Sequence, residues 1–196
     1  CALPICYAQP EVPPVLRRGA NGAFPDAIGG LAALASSQES YLMEVGMLDA
    51  AVAPEQIRWL LSQALTGPVV RLPFAAGTVA HWEHDLYAGD LPRHQFNARW
   101  WEHAARFQGI APPAPRGEDW CDPATVPAIT ERPAESYDRA LADVILHQLH
   151  RYICRQILGQ DVHEANYRGN TEIGIYLDSI LAAGAMRNLS QLLYEA

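Results

Sequence analysis

The sequence predicts an all-α fold, on three observations. Apolar residues recur every three or four positions over long stretches, most regularly at Leu141, Val144, Ile145, Leu149 and Ile153, the spacing that lines one face of a helix. Helix starts marked by Asn, Pro or an acid and stops marked by Gly or Gly-Pro punctuate the chain. No stretch alternates apolar and polar residues as a half-buried strand does, and no internal repeat is present.

In order, prolines from Pro10 to Pro14 hold an extended approach to the first helix. That helix begins near Asn21 and Gly22, either of which suits a cap. Pro25 and Asp26 fit its first turn, one because its missing N–H has no partner there anyway, the other because it faces the positive end of the helix dipole. It runs to about Ser36. A second helix is expected over Glu39–Leu48 and a third over Pro54–Leu65, ended by Thr66-Gly67-Pro68. Leu72–Tyr87 reads as a long buried helix stopped by Gly89-Asp90, followed by another over Arg93–Phe107. Six prolines between Ile110 and Pro133 break any periodicity, so that segment is expected to be a long loop. The helix over Ser136–Leu158 stops at Gly159, Asn170-Thr171 caps one through Leu181, and Asn188 starts a short last one.

The charge balance narrows the partners. A formal net charge of −8, with 14 basic residues that are all Arg, argues against a nucleic-acid groove or an anionic membrane surface, both of which need clustered cations. No apolar run reaches the length of a membrane span, and no secretory signal is recognisable. Cys1, Cys6, Cys121 and Cys154 follow no zinc-finger spacing.

The run from Gly19 to Gly30, G-A-N-G-A-F-P-D-A-I-G-G, resembles the helix that carries the third zinc ligand in the angiotensin-converting enzyme family of zinc peptidyl-dipeptidases, G-A-N-x-G-F-x-E-A-I-G-D. Tyr41–Asp49, Leu72-Pro73-Phe74, Trp100-Trp101 with Phe107–Pro113, and Gln148–Cys154 follow in the family's order. The resemblance implies that residues 7–196 are the C-terminal portion of one large, mainly helical zincin catalytic domain. Residues 1–6, CALPIC, do not continue the pattern and are read as a non-native leader. The implied function is part of a zinc metallopeptidase that releases dipeptides from the C-termini of oligopeptides. An extracytoplasmic setting is compatible with the resemblance, and the sequence alone leaves the compartment open.

By the same resemblance Asp26 stands where the glutamate ligand stands, Tyr137 where a carboxylate-binding tyrosine does, Phe74 near the pocket for C-terminal side chains, and Arg139 at a chloride-binding position. The reading of Asp26 as an ordinary first-turn acid stands beside the ligand reading. A zincin takes its two histidine ligands and its general base from H-E-x-x-H. That motif does not occur here, so the resemblance puts both histidines upstream, in the remaining part of the same domain, and no catalytic residue in this chain. Other family features depart: the aspartate four residues beyond the ligand is Gly30, no Lys or His lies between Pro127 and Arg132, and the second tyrosine of Y-x-R-Y is Ala140. The family's bridge from the cysteine at Cys154 has no partner in His163-Glu164-Ala165.

Outside that framework, His81 with His84, and His147 with His150, lie one helical turn apart and are read first as helix histidines rather than metal ligands. Trp82, Trp100 and Trp101 are read as core, since large rings dominate burial energy. The alternatives to a peptidase are an inactive relative that keeps a helical peptide-binding scaffold, and an all-α interaction module.

Overall fold

The computed structural model describes residues 9–17, 21–49, 55, 59, 67–182, 184–188 and 191, and among them every regular element is helical. The backbone divides into two compact units, one of Cys1–Thr66 with Leu141–Ala196 and one of Gly67–Ala140.

The first unit is built on α1, Ala23–Ser36. The Asn21 side chain caps it, Oδ1 accepting the amide of Phe24 at 3.1 Å, while Gly22 at the cap position supplies no side-chain bond. Ala23, Phe24, Ala27, Leu31 and Leu34 are buried, a stripe at helical spacing. They pack into one cluster with Ile145, Leu146, Leu149 and Ile153 from α6, Ser136–Tyr152, and its continuation, and with Ile173, Ile180 and Leu181 of α7, Thr171–Leu181. Each fully buried Leu or Ile contributes about 1.5–3 kcal/mol, so this stripe is the principal stabilising element of the unit. The apolar run expected on α6 is correct in kind but not in every member: Val144 is exposed, and Ala142 and Leu146 take the inward places.

At two glycines, one in each unit, a neighbouring side chain takes the space a Cβ would fill. A Cβ on Gly30 would lie 2.4 Å from Cδ1 of Leu146, so the absent side chain is what lets Leu146 seat against α1. In the second unit a Cβ on Gly77 would lie 2.6 Å from Cβ of Phe107, an atom next to the backbone that cannot swing aside.

The helix expected over Glu39–Leu48 is shorter, with α2 spanning Glu39–Glu44. Gly46 adopts φ +72°, which turns the chain out of the helix. Ser40 Oγ donates to the carbonyls of Glu164 and Ala165, and Glu44 accepts from Asn166 and Arg168, so the 161–170 segment is tied to α2. Asn170 Oδ1 accepts from the amide of Ile173, the cap read from the sequence. The expected helix over Pro54–Leu65 lies largely outside the described residues, as does the last helix, although Asn188 and Gln191 exchange the two hydrogen bonds of a helix start.

In the second unit a helical segment passes through a π-helical stretch, Pro73–Val79, into α3, Ala80–Tyr87. A 3-10 turn, Arg93–Gln95, leads into α4, Phe96–His103, which continues as a π segment, Ala104–Gln108, ended by left-handed Gly109. Helix α6 ends the same way, its π segment Ile153–Leu158 closing at left-handed Gly159. Trp82 and Trp100 are buried with Val79 and Ile129, and Phe74, Phe96 and Trp101 pack against them. The core reading of the tryptophans is therefore what the packing shows.

The expected loop of 110–133 contains a 3-10 turn, Asp122–Thr125, and a short helix α5, Pro127–Thr130. Side chains also pin it to the neighbouring helix. Glu118 accepts the amides of Asn97 and Ala98 at the start of α4, where orphan N–H groups and the dipole favour an acid. Asp122 is buried and accepts from Trp101 Nε1 at 2.8 Å and from the Arg116 guanidinium, while Asn97 bonds the Asp122 amide and the Gly117 carbonyl.

Substituting Gly30→Asp should lower stability by about 1–3 kcal/mol, the usual cost of overpacking, because Leu146 must be displaced. Urea denaturation of Gly30→Asp, Leu146→Ala and the double variant should give a double-variant loss smaller than the sum of the singles by at least about 0.5 kcal/mol. Strict additivity would mean that the two residues do not compete for one space.

Candidate functional site

The packing of α1 determines where Asp26 goes. With Phe24, Ala27 and Leu31 turned inward, the residue two positions after Phe24 emerges on the opposite side, and Asp26 is exposed in the first turn. Its carboxylate makes no hydrogen bond or ion pair among the described residues, so its contribution to the helix is through the dipole alone. Gly29, Ala32 and Ala33 are exposed on the same side, leaving that face of α1 small and uncharged apart from Asp26.

The other three residues singled out lie in the second unit. Phe74 is half-buried, its ring edge-on to Trp100 with centres 6.4 Å apart, so its observed contact is with the aromatic cluster. Tyr137 and Arg139, in the first turn of α6, are exposed. Two positions apart on a helix they do not share a face, so the geometry does not gather them into one pocket.

Could these residues hold zinc? Asp26 offers an exposed, uncommitted carboxylate, which suits one corner of a zinc site. Among the described residues no three His, Cys, Asp or Glu side chains come together in a way that holds a metal. Among the described residues Asp26 is therefore a candidate for one ligand position, and no step of hydrolysis follows from them alone.

The histidine pairs behave mainly as helix histidines. His81 Nδ1 lies 2.8 Å from the Gly77 carbonyl and 3.0 Å from that of Ala76, so it donates back into its own helix. His147 Nδ1 likewise donates to the Asp143 carbonyl at 2.7 Å. His150 is buried with both nitrogens engaged, by the Val162 carbonyl at 2.8 Å and the Tyr167 hydroxyl at 2.7 Å. Burial holds its pKa below the ordinary histidine value, which keeps the ring neutral. Cys154 lies beside it, a free thiol that burial pushes up to about 11, so it is an inert core residue and not a nucleophile.

What the sequence did not reveal is a partly buried polar cluster between α3 and α4. Asp85 Oδ2 accepts from Arg99 Nε at 2.5 Å and from His103 Nε2 at 2.8 Å, and His103 is only 3% exposed. Burial acts to raise the Asp85 pKa, but the bonds from Arg99 and His103 outweigh it and hold the carboxyl below its ordinary value. Glu83, also buried, accepts the Ala134 amide at 2.7 Å, and there burial prevails and raises the pKa. An Asp and a His 18 positions apart carry no joint sequence signal, since only the pairing of the two helices brings them together.

Comparison with known proteins gives a consistent match. The sequence profile of a family described as angiotensin-converting enzyme matches residues 5–196. The chain is 31% identical over 187 residues to the angiotensin-converting enzyme of Rattus norvegicus, a match covering 92% of this chain and 14% of that protein. For the enzyme of Mesocricetus auratus the identity is 32% over 196 residues, covering 96% and 14%. For that of Theromyzon tessulatum it is 30% over 181 residues, covering 89% and 28%. The chain therefore spans less than a third of the length of these relatives.

The buried carboxylates make opposite predictions for pH. Glu83 has its folded pKa raised, so the unfolded chain ionises first and stability falls as pH rises from the ordinary value of 4.5 through the folded value. Glu83→Gln keeps an acceptor for Ala134 and should melt higher than the parent at pH 7, the gap closing below pH 4.5. Asp122 is held low, chiefly by Arg116, so its stabilisation is present above the ordinary value of 3.8 and lost as pH falls through the folded value. Asp122→Asn should therefore melt lower than the parent at neutral pH, the difference shrinking in strong acid. Thermal melts of both variants across pH 3–8 test this, and a gap independent of pH would contradict it.

Proposed function

The chain belongs to the angiotensin-converting enzyme family, and from that premise we propose that it is part of a zinc peptidyl-dipeptidase, a metallopeptidase domain that removes dipeptides from the free C-termini of oligopeptides. The observation that carries the reading is the family match over residues 5–196; the assignment of Asp26 as the third zinc ligand is proposed from the resemblance of Gly19–Gly30 to the family's ligand helix. Its exposed and uncommitted carboxylate, held at the mouth of α1 by the buried anchors Phe24 and Ala27, supports that role.

In this reading the remaining ligands and the general base come from an H-E-x-x-H helix outside the chain. When bound at such a site, zinc would supply Lewis-acid chemistry toward water and the scissile carbonyl. This chain's part is positional: α1 presents Asp26, Tyr137 offers a phenol for the substrate's terminal carboxylate, Arg139 a chloride-binding guanidinium, and Phe74 an apolar surface for a C-terminal side chain. Asp reaches one methylene less far than Glu, which makes a weaker site, because ligand distances must hold within about 0.2 Å. Ala140 in place of the tyrosine removes an oxyanion donor, a loss that typically lowers kcat by about 100- to 1000-fold.

Zinc affinity of a longer parent protein that carries H-E-x-x-H tests the ligand role. Asp26→Glu should tighten zinc and Asp26→Ala should weaken it at least tenfold; equal binding in all three leaves Asp26 as a first-turn acid. The 196-residue chain alone should not turn over a furylacryloyl tripeptide. Chelator-sensitive turnover by the purified chain would overturn the assignment of the missing groups to an upstream segment. A parent that binds zinc through Asp26 and still releases no dipeptide would be an inactive relative.

A further inference from the structure

We propose that His81 and His103 form an open two-histidine site for a divalent first-row transition-metal ion, of the kind that prefers imidazole, such as Cu2+ or Zn2+. The proposal uses neither Asp26 nor the peptidase reading.

The tautomers follow from the partners. A carboxylate only accepts, so the 2.8 Å contact between His103 Nε2 and Asp85 Oδ2 places the ring proton on Nε2. In the neutral ring Nδ1 then carries the lone pair. That atom is buried and has no hydrogen-bond partner, an uncompensated acceptor inside a fold where such atoms are rare. Carbonyls also only accept, so His81 Nδ1 donates to Gly77 and keeps the lone pair on Nε2. Each imidazole thus has one nitrogen anchored and one available. Metal-bound histidines show this pattern, the second nitrogen donating to a carboxylate or a backbone carbonyl that fixes tautomer and ring orientation.

The spacing agrees. The ring centres lie 5.8 Å apart with planes 48° from parallel. Two imidazoles on one ion, with metal–nitrogen distances of about 2.0–2.1 Å, put their ring centres roughly 5–6.5 Å apart. A direct hydrogen bond between the rings would explain the spacing equally well, but His103 Nδ1 has no such partner. The Phe107 ring stands 4.5 Å from His81 and 5.9 Å from His103, an apolar wall that shields the metal–nitrogen bonds from competing water. Arg99, bonded to the same Asp85 oxygen, holds the carboxylate in place. His81 is exposed, so an ion reaches the pair from its side.

No third His, Cys, Asp or Glu joins the pair among the described residues. Water or an exogenous ligand would fill the remaining positions, which makes the site weaker and more exchangeable than a four-ligand structural site. Affinity should follow the usual order, Cu2+ above Zn2+.

The test is calorimetric titration of the metal-free chain with Cu2+ and with Zn2+, beside His81→Ala, His84→Ala and Asp85→Asn. His84 is an exposed histidine one turn from His81 and serves as the control for adventitious surface binding. The expected result is one equivalent bound by the parent and by His84→Ala, at least tenfold weaker binding by His81→Ala, and about tenfold weaker binding by Asp85→Asn through loss of the anchor. Circular dichroism checks that His81→Ala, altered at an exposed position, remains folded. Electron paramagnetic resonance of the Cu2+ form should show two nitrogen ligands in the parent and fewer in His81→Ala. Binding by His81→Ala within twofold of the parent, or no binding by the parent at millimolar metal, overturns the proposal.

Discussion

The contact that the first unit depends on is the seating of Leu146 over Gly30. Ala23, Ala27 and Gly30 among the inward and flanking positions of α1 leave room beside the helix, and Ile145, Leu146 and Leu149 belong to the cluster that fills it. Burying that stripe removes apolar area from water and fixes the rotation of α1 about its axis. Everything said of Asp26 follows from that rotation. The acid faces outward because Phe24, Ala27, Leu31 and Leu34 cannot, and no polar contact is needed to hold it there.

The second unit depends on polar clamps as well as on its aromatic cluster. Its 110–133 segment is rich in proline, and regular hydrogen bonding is confined to the 3-10 turn and α5 with the turns beside them. Glu118 meets the amides at the start of α4, Asp122 binds Trp101 and Arg116, and Asn97 bridges both ends of the turn. Asp85, between Arg99 and His103, does the same between α3 and α4. Asp122 is a buried acceptor with donors on two sides, the arrangement that makes a desolvated carboxylate tolerable, while Asp85 is half-buried and Glu118 exposed. Glu83, which accepts from the Ala134 amide, is the less favourable case, and its raised pKa is the physical sign of it.

Long periodic helices with clear punctuation were readable in the sequence: α1, α6 and α7, the Asn170 cap and the glycine stop at Gly159. The π segments were not, because five to seven residues at a slightly longer period leave the same apolar pattern as an α-helix. The end of α2 was misplaced because Leu48 continues the apolar spacing while Gly46 has already turned the backbone. For the candidate site, motif similarity pointed to Asp26, and local packing accounts for its exposure. The Asp85–His103 contact, which lies between helices rather than along one, had no linear signature to read.

The departures from the family pattern have a packing logic of their own. At position 30, where the resemblance expects an aspartate, the absent side chain is the space that Leu146 occupies. At position 140, where it expects a tyrosine, Ala140 is buried, with 4% of its surface exposed. Neither site is a surface position free to drift, since a larger residue at either must displace neighbours in a close-packed interior. A change back to the family residue at one of them is therefore a change to the core first and to the chemistry second. Any catalytic comparison of such variants has to be made against their stabilities, because loss of activity from a displaced Leu146 would look the same as loss of a metal-orienting acid.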